Sequence, residues 1–448
     1  MSAGPMTAEP VRHRADLGAM AVVAAAVLLT SAYANYARAT GDRGWLAFVP
    51  PFRAGLDANM VDHLGGEYGS IARALVEGRG FADPFNEPTG PTAWMPPVLP
   101  YLQAALLALV GEKATVVAVV LLQDFALVVA GWVAIRGVGG GRPFVVAATY
   151  LALTWYHFSA CYQITHDCWL ILLLLSLMVA LAGRLWDRGP SLRLAVGWGA
   201  FGGLAALTGP VLGLVWGTIT LTLAIAHRRA SWLALSAVVA LLVVSPWVAR
   251  NYQVLGRFIP VKSNLAFEWY QSNKLEPDGV LRFETGATHP YRGSGEERIR
   301  YKELGEIRYL DEYRSKAMRA LSGDPVGYLA RVGSRLLAAT VIYFPFQADE
   351  SGVGLWLSYA IHPLPFYGLM AMIFLGQWRS DRRKVVAVIS YVTYLFPYMM
   401  VAYYERYSVP LIGLQAMFCC WGWEAILSAS RWSKARSAVD GVGPRDSP

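Results

Sequence analysis

The residue types that could do chemistry lie in a few short stretches beside the ends of apolar runs. The first is Gly65-Gly66-Glu67-Tyr68-Gly69-Ser70-Ile71-Ala72-Arg73. Ile71, Ala74 and Leu75 follow Glu67 at helical spacing and Gly78 offers a stop, so Glu67 opens a short helix. A carboxylate there is either a solvated acid favoured by the helix dipole or a general base for a bound substrate. The second stretch, Thr165-His166-Asp167-Cys168-Trp169, stands at the entrance of a long apolar helix. Asp167 reads as a helix N-cap or as an acid that must remain at the interface or pair inward, and His166 as its hydrogen-bonding neighbour or as a ligand or proton carrier. In Pro246-Trp247-Val248-Ala249-Arg250-Asn251-Tyr252 an arginine emerges where an apolar run ends. Arg250 can hold a phosphate with several fixed donors or snorkel to lipid headgroups. Glu405-Arg406-Tyr407 poses a similar choice, between a wet local ion pair and two groups with partners in a closed cavity. His289-Pro290-Tyr291 and the charged run 296–319 read as a surface subdomain with mostly solvated charges. Glu67 and Asp167 can work together as base and orienter, or as base and metal ligand, only if their loops meet.

The elements that must position these residues are membrane helices. Of 448 residues, 55% are hydrophobic and only 16% charged, with a mean hydropathy of +0.37. That composition is too apolar for a water-soluble globule. The net charge of +8 sits in short clusters between apolar runs. This is the pattern of membrane topology and not of nucleic-acid binding. Cys161, Cys168, Cys419 and Cys420 have no metal-site spacing, and free thiols fit them better than a disulfide between the first two. Apolar segments of spanning length, about 17 to 25 residues, fall near 18–38, 115–135, 143–160, 168–184, 195–209, 211–226, 232–249, 354–376, 385–402 and 408–427. The expected fold class is therefore an all-α polytopic membrane protein of about ten transmembrane helices. The first segment is too long for a signal-peptide core and reads as an anchor.

With the N-terminus (1–17) cytoplasmic, Arg136/Arg142, Arg184/Arg188/Arg193, Arg228/Arg229, Arg379 to Lys384 and Arg431/Lys434/Arg436 all fall on the inner side. That alignment requires the helix after Pro97 to lie along the outer surface, and the apolar stretch 326–346, interrupted by Arg331 and Arg335, to be interfacial as well. The domain reading is a membrane core at 18–249 that includes a large outer loop at 39–114. An outer segment at 250–350, the last helices at 351–427 and a cytoplasmic tail at 428–448 follow. The candidate residues then converge on the outer face.

Taken in order, Glu67-Tyr68 with Ile71-Ala72, Gly78-Arg79-Gly80-Phe81, Pro91-Thr92-Ala93-Trp94 with Pro96-Pro97 and Pro100, the 246–252 exit, and Glu405-Arg406-Tyr407 before Pro410 carry a resemblance. Over roughly 18–427 the chain resembles bacterial GT-C glycosyltransferases, the superfamily of protein mannosyltransferases and aminoarabinose transferases, family 39-like. The resemblance implies a GT-C-type bundle that takes a sugar from a polyprenyl-phosphate donor and places it on an acceptor hydroxyl at the outer face, with inversion. The acceptor, a lipid, polysaccharide or protein, is not specified by the motifs. It also implies a catalytic acid in the first outer loop, matched by Glu67 with Asp62 in reserve, and a second acid matched by Asp167. Tyr68, His166, Arg250, Asn251, His289, Glu405, Arg406 and Tyr407 are the implied substrate-binding set. A divalent metal is compatible with this chemistry and not required by it. The location implied is the inner membrane, multi-pass, with membrane lipids as partners. The competing reading is a transporter or flippase of a lipid-linked sugar, which should carry its polar residues at mid-membrane; Gln123-Asp124 is the main such pair. A non-enzymatic envelope scaffold is the third.

Overall fold

The computed structural model describes residues 8–40, 64–139, 142–189, 191–282, 284–291, 295–345 and 352–440. Asp62 lies outside the described residues. Among these residues every regular element is helical, and β pairing is limited to isolated bridges, Ala82 with Pro91 and Val280 with Tyr403. In chain order the helices are α1 (Ala8–Thr40), α2 (Glu67–Val76), α3 (Val98–Val110), α4 (Glu112–Val138), α5 (Pro143–Tyr156), α6 (Phe158–Cys161), α7 (Cys168–Arg188), α8 (Leu192–Thr208) and α9 (Pro210–His227). They continue with α10 (Ala230–Leu255), α11 (Leu265–Tyr270), α12 (Glu296–Gly323), α13 (Pro325–Thr340), α14 (Gly352–Ile361), α15 (Leu364–Phe374), α16 (Arg382–Met400) and α17 (Ile412–Asp440).

Among the described residues, seven segments are long and apolar enough to cross a membrane: His13–Tyr36, Val98–Val138, Cys168–Arg188, Pro210–His227, Ala230–Leu255, Gly352–Phe374 and Glu405–Ser430. α5 and α8 are apolar but shorter. The chain is an all-α polytopic membrane protein, with fewer full-length spans than the ten expected. The expected span at 385–402 corresponds to α16, which opens on Arg382-Arg383-Lys384 and carries Tyr391, Tyr394 and Tyr398 along its apolar run. It packs on α7 and α9 all the same.

α3 and α4 are separate helices, divided at Gly111, where the backbone leaves the helical region (φ 78°, ψ 173°). At about 1.5 Å per residue, the 13 residues of α3 reach roughly 20 Å, short of a hydrocarbon core of about 30 Å. α2 rides on α3. α13 keeps Arg335 fully buried and leaves Val326, Leu329, Leu336 and Leu337 exposed, the two-faced pattern of a helix at an interface.

Ion pairs tie the basic helix ends together. Arg136, in the last turn of α4, meets Asp16 near the start of α1 at 3.0 Å. Arg382, at the start of α16, reaches Asp187 at 3.9 Å and the Trp186 carbonyl at 3.3 Å, both at the end of α7. Because α5 runs back from the α4 end, α7 begins at the opposite end of the bundle. Asp167 precedes it there.

Candidate active site

Two glycines let the first loop reach the loop before α7. Gly65 has φ +87°, and a Cβ on it would lie 2.7 Å from Cβ of Thr165; on Gly66 a Cβ would fall 2.2 Å from the ring of Tyr291. Any side chain at either position would push apart three segments, 64–67, 163–167 and 284–291. The loops of Glu67 and Asp167 therefore do meet, which the spacing in the sequence alone left open.

Neither acid is spent on capping its own helix. Asp167 precedes α7 without a side-chain cap bond, and its carboxylate instead accepts from the Tyr68 hydroxyl. Glu67 is the first residue of α2, and its Oε1 accepts the indole N–H of Trp94 at 2.6 Å. Nε2 of His289 stands 3.5 Å from the same oxygen. Adjacent residues Glu67 and Tyr68 thus join the two acids, one directly and one through its hydroxyl.

Two cations face this pair. Arg406 and Lys262 each act electrostatically on both Glu67 and Asp167. Nη1 of Arg406 lies 2.8 Å from Nε2 of His166. Lys262 pairs with Glu268 at 3.0 Å, and Glu268 also accepts from Asn264 at 2.9 Å. Tyr407 stacks on Tyr398, ring centroids 4.3 Å apart, and Arg406 lies over the rings of Tyr404 and Tyr407 at 4.7 and 5.6 Å.

Burial sets the proton affinities. Removal from water pushes Glu67 up to about 7; the Trp94 hydrogen bond and Arg406 oppose the rise, Glu268 adds to it, and Lys262 opposes it weakly. Asp167 is also raised by burial, against the Tyr68 hydrogen bond and the charges of Lys262 and Arg406. A carboxylate that titrates near neutrality is suited to taking a proton at physiological pH.

Other expected site residues lie elsewhere. Arg250 donates from Nη1 to the Thr92 carbonyl at 2.6 Å and to Oδ1 of Asn251 at 3.0 Å, and from Nη2 to the Phe81 carbonyl at 2.7 Å. Its guanidinium also lies over the rings of Phe81 and Trp247, at 5.5 and 5.2 Å. Asn251 is fully buried and donates to the Ile259 carbonyl at 2.9 Å. Both residues fasten the first loop and the 259 segment to the end of α10. Glu405 does not pair with Arg406; it turns the other way, 3.7 Å from Nδ1 of buried His157, and lines a cavity of about 10 Å³ with His362, Tyr343 and Tyr403. Asp124 is hydrogen-bonded to Ser31 of α1, a tie between neighbouring helices.

The run 296–319 is less solvated than its composition suggests. Glu297 accepts from the hydroxyls of Tyr309 and Tyr313, each at 2.8 Å, and Glu306 is buried. Sequence reading assigned no role to Trp94, Lys262, Glu268 or Glu306. Their signal was faint: an indole two residues after Thr92, and a Lys and a Glu six apart in a long polar segment. Among the described residues, no three His, Cys, Asp or Glu side chains gather as a metal site would require. The four cysteines are free thiols. An apolar groove of about 470 Å³ runs between α5, α15 and α17, lined by residues such as Val145, Tyr367, Gly368 and Trp423, and none of the acids above borders it.

No family model and no curated protein matches the chain. Among solved structures it is similar to the archaeal oligosaccharyltransferase AglB from Archaeoglobus fulgidus, in complex with an inhibitory peptide and a dolichol-phosphate. The identity is 14% and the TM-score 0.44, over 95% of this chain and 52% of that one. The chain spans about half the length of that protein.

Proposed function

We propose that this chain is a GT-C-type membrane glycosyltransferase that moves a sugar from a polyprenyl-phosphate donor to an acceptor hydroxyl at the outer face of the membrane. The observation that carries the reading is the convergence of Glu67 and Asp167, from separate loops, opposite Arg406 and Lys262 at one end of an apolar bundle. A sugar on a lipid phosphate already has a good leaving group. The protein has to orient the acceptor, take its proton and offset the charge on the departing phosphate.

Each group suits one of these tasks. Glu67 takes the acceptor proton while the acceptor oxygen attacks the anomeric carbon, whose bond to the phosphate oxygen breaks with inversion. Trp94 and His289 hold Glu67 from one side. Asp167, steadied by Tyr68, positions the acceptor or a cation. Arg406, backed by His166, takes the phosphate with a planar fork, and Lys262 supplies a second positive charge. Stacked Tyr398 and Tyr407 offer an aromatic face beside them. The basic ends joined by Asp16–Arg136 and Asp187–Arg382 fit a cytoplasmic N-terminus in the inner membrane, with the carboxylates on the far side.

The test is incubation of the full-length protein in lipid with a panel of radiolabelled polyprenyl-phosphate sugars, scored for loss of donor. Consumption of one donor by the wild type and not by Glu67→Gln is the expected result. A panel in which no donor is bound, consumed or hydrolysed overturns the proposal.

A further inference from the structure

We propose that Glu306 is a positioning residue for Glu67, acting through Thr92, Ala93 and the indole of Trp94; this rests on the reading of Glu67 as the base. Glu306 follows Gly305, whose left-handed conformation (φ 71°, ψ 161°) breaks α12 in two. The break turns a carboxylate into the interior beside the buried Tyr301 and Tyr309, where Glu306 is 4% exposed.

The hydrogen bonds run in one direction. Oε1 of Glu306 accepts from the Ala93 N–H at 2.9 Å. Oε2 accepts from the Tyr301 hydroxyl at 2.7 Å and from the Thr92 hydroxyl. A threonine hydroxyl has a single proton. With it given to Glu306, Oγ1 of Thr92 is left to accept the Trp94 backbone N–H at 2.9 Å. The indole of Trp94 then donates to Glu67 at 2.6 Å. Arg250 grips the Thr92 carbonyl from the other side. Residues 92–94 are therefore clamped between a half-buried cation and a buried carboxylate, and the product of the clamp is the direction of one N–H.

Among the described residues no cation lies within ion-pair distance of Glu306; its partners are three neutral donors. Burying a carboxylate without an opposite charge beside it is costly, and the hydrogen bonds from Thr92, Ala93 and Tyr301 are what offset it here. A glutamine could accept from one or two of these donors but not from all three. The alternative is that Trp94 is held by packing alone, against Phe85, Phe267 and Tyr301, with ring centroids 5.1, 5.3 and 5.8 Å away. The groups facing Glu67 are Trp94, His289, Lys262, Glu268 and Arg406. Those facing Glu306 are Thr92, Ala93 and Tyr301, with Arg250 acting on it electrostatically.

Infrared titration of the full-length protein in lipid, without donor or acceptor, separates the two. The carboxyl band present in the wild type and missing in Glu67→Gln reports the midpoint of Glu67 itself. Loss of the indole hydrogen bond raises that midpoint, so Trp94→Phe, Glu306→Gln and Thr92→Val should each move it up by roughly one unit. Thr92→Ser should leave it in place. The double variant Thr92→Val with Trp94→Phe should move it no further than Trp94→Phe alone. If Glu306→Gln fails to fold, the Thr92 pair carries the test. A midpoint that Trp94→Phe moves and Thr92→Val does not, or shifts that add, overturns the relay in favour of packing. Because no sugar is involved, a protein that shows the relay and consumes no donor refutes the proposed function and leaves the positioning role standing.

Discussion

Arg406 and His166 are 240 positions apart and meet at 2.8 Å through Nη1 and Nε2. The contact ties the last polar turn of the chain to the residue beside Asp167, and it leaves the face of the guanidinium against aromatic rings. Removing the fork while keeping the charge isolates what it does. Arg406→Lys is expected to weaken donor binding by at least about tenfold with a smaller change in turnover, since a lysine binds phosphate as a point charge. Equilibrium binding of a labelled polyprenyl-phosphate sugar measures it; equal affinity in the two proteins removes Arg406 from the phosphate.

Transfer should depend on pH through Glu67. A base raised to about 7 is protonated and idle in mild acid, so the rate of the wild type rises with pH through about 7 and levels above it. Initial rates of donor consumption between pH 5 and 9 test this. A flat profile, or one that falls across neutrality, contradicts the assignment of the base.

Stability should show the opposite trend. The folded-state value of Glu67 lies above its ordinary value of 4.5, so between the two the native state holds a proton that the unfolded state has lost. Stability is therefore lost as pH rises from 4.5 to about 7. The isostere Glu67→Gln carries no such cost. Its stability should exceed that of the wild type at pH 8, by at most about 3 kcal/mol, and match it near pH 4.5. Thermal unfolding in detergent at the two pH values reads the difference, which should vanish at the lower one.

Tyr68→Phe removes the hydroxyl that Asp167 accepts from and nothing else. A hydrogen bond to a charged group is worth about 1.5–3 kcal/mol, so turnover should fall about tenfold or more while the protein stays folded. Unchanged turnover would show that Asp167 is held without Tyr68.

Arg250→Met should act on folding. The substitution takes the arginine donor from the carbonyls of Phe81 and Thr92, of which Phe81 keeps the Thr92 N–H, and a loss of about 1–3 kcal/mol is expected from two half-buried hydrogen bonds. Thermal unfolding should show it, and donor affinity, measured well below the new melting point, should change little. A protein of normal stability with weakened donor binding would return Arg250 to the phosphate.

Much of the architecture was legible because a bilayer imposes a simple rule on sequence: long apolar runs, with charges at their ends. α9 follows that rule and was read nearly to the residue, as 211–226 against Pro210–His227, while α7 and α10 run a turn or more beyond the ends read for them. α16 was counted as a span, and its tyrosines, which turn toward other helices, weaken the apolar signal by which spans are recognised. The two acids were legible as types at helix starts, and their meeting was not, because it depends on Gly65 and Gly66 approaching Thr165 and Tyr291 at distances no pattern encodes. Arg250 was read as a free cation because exit from a helix looks the same whether the guanidinium finds a ligand or its own backbone. Glu306 was hidden in a charged run, and only the turn at Gly305 separates it from its solvated neighbours.

Glu405 and Arg406 face opposite ways from one short turn, toward His157 and toward His166. The turn therefore parts two sets of contacts, with a carboxylate directed to His157 and a guanidinium to His166. Two adjacent positions thus serve two different neighbourhoods, so that a substitution at Glu405 bears on His157 and one at Arg406 bears on His166.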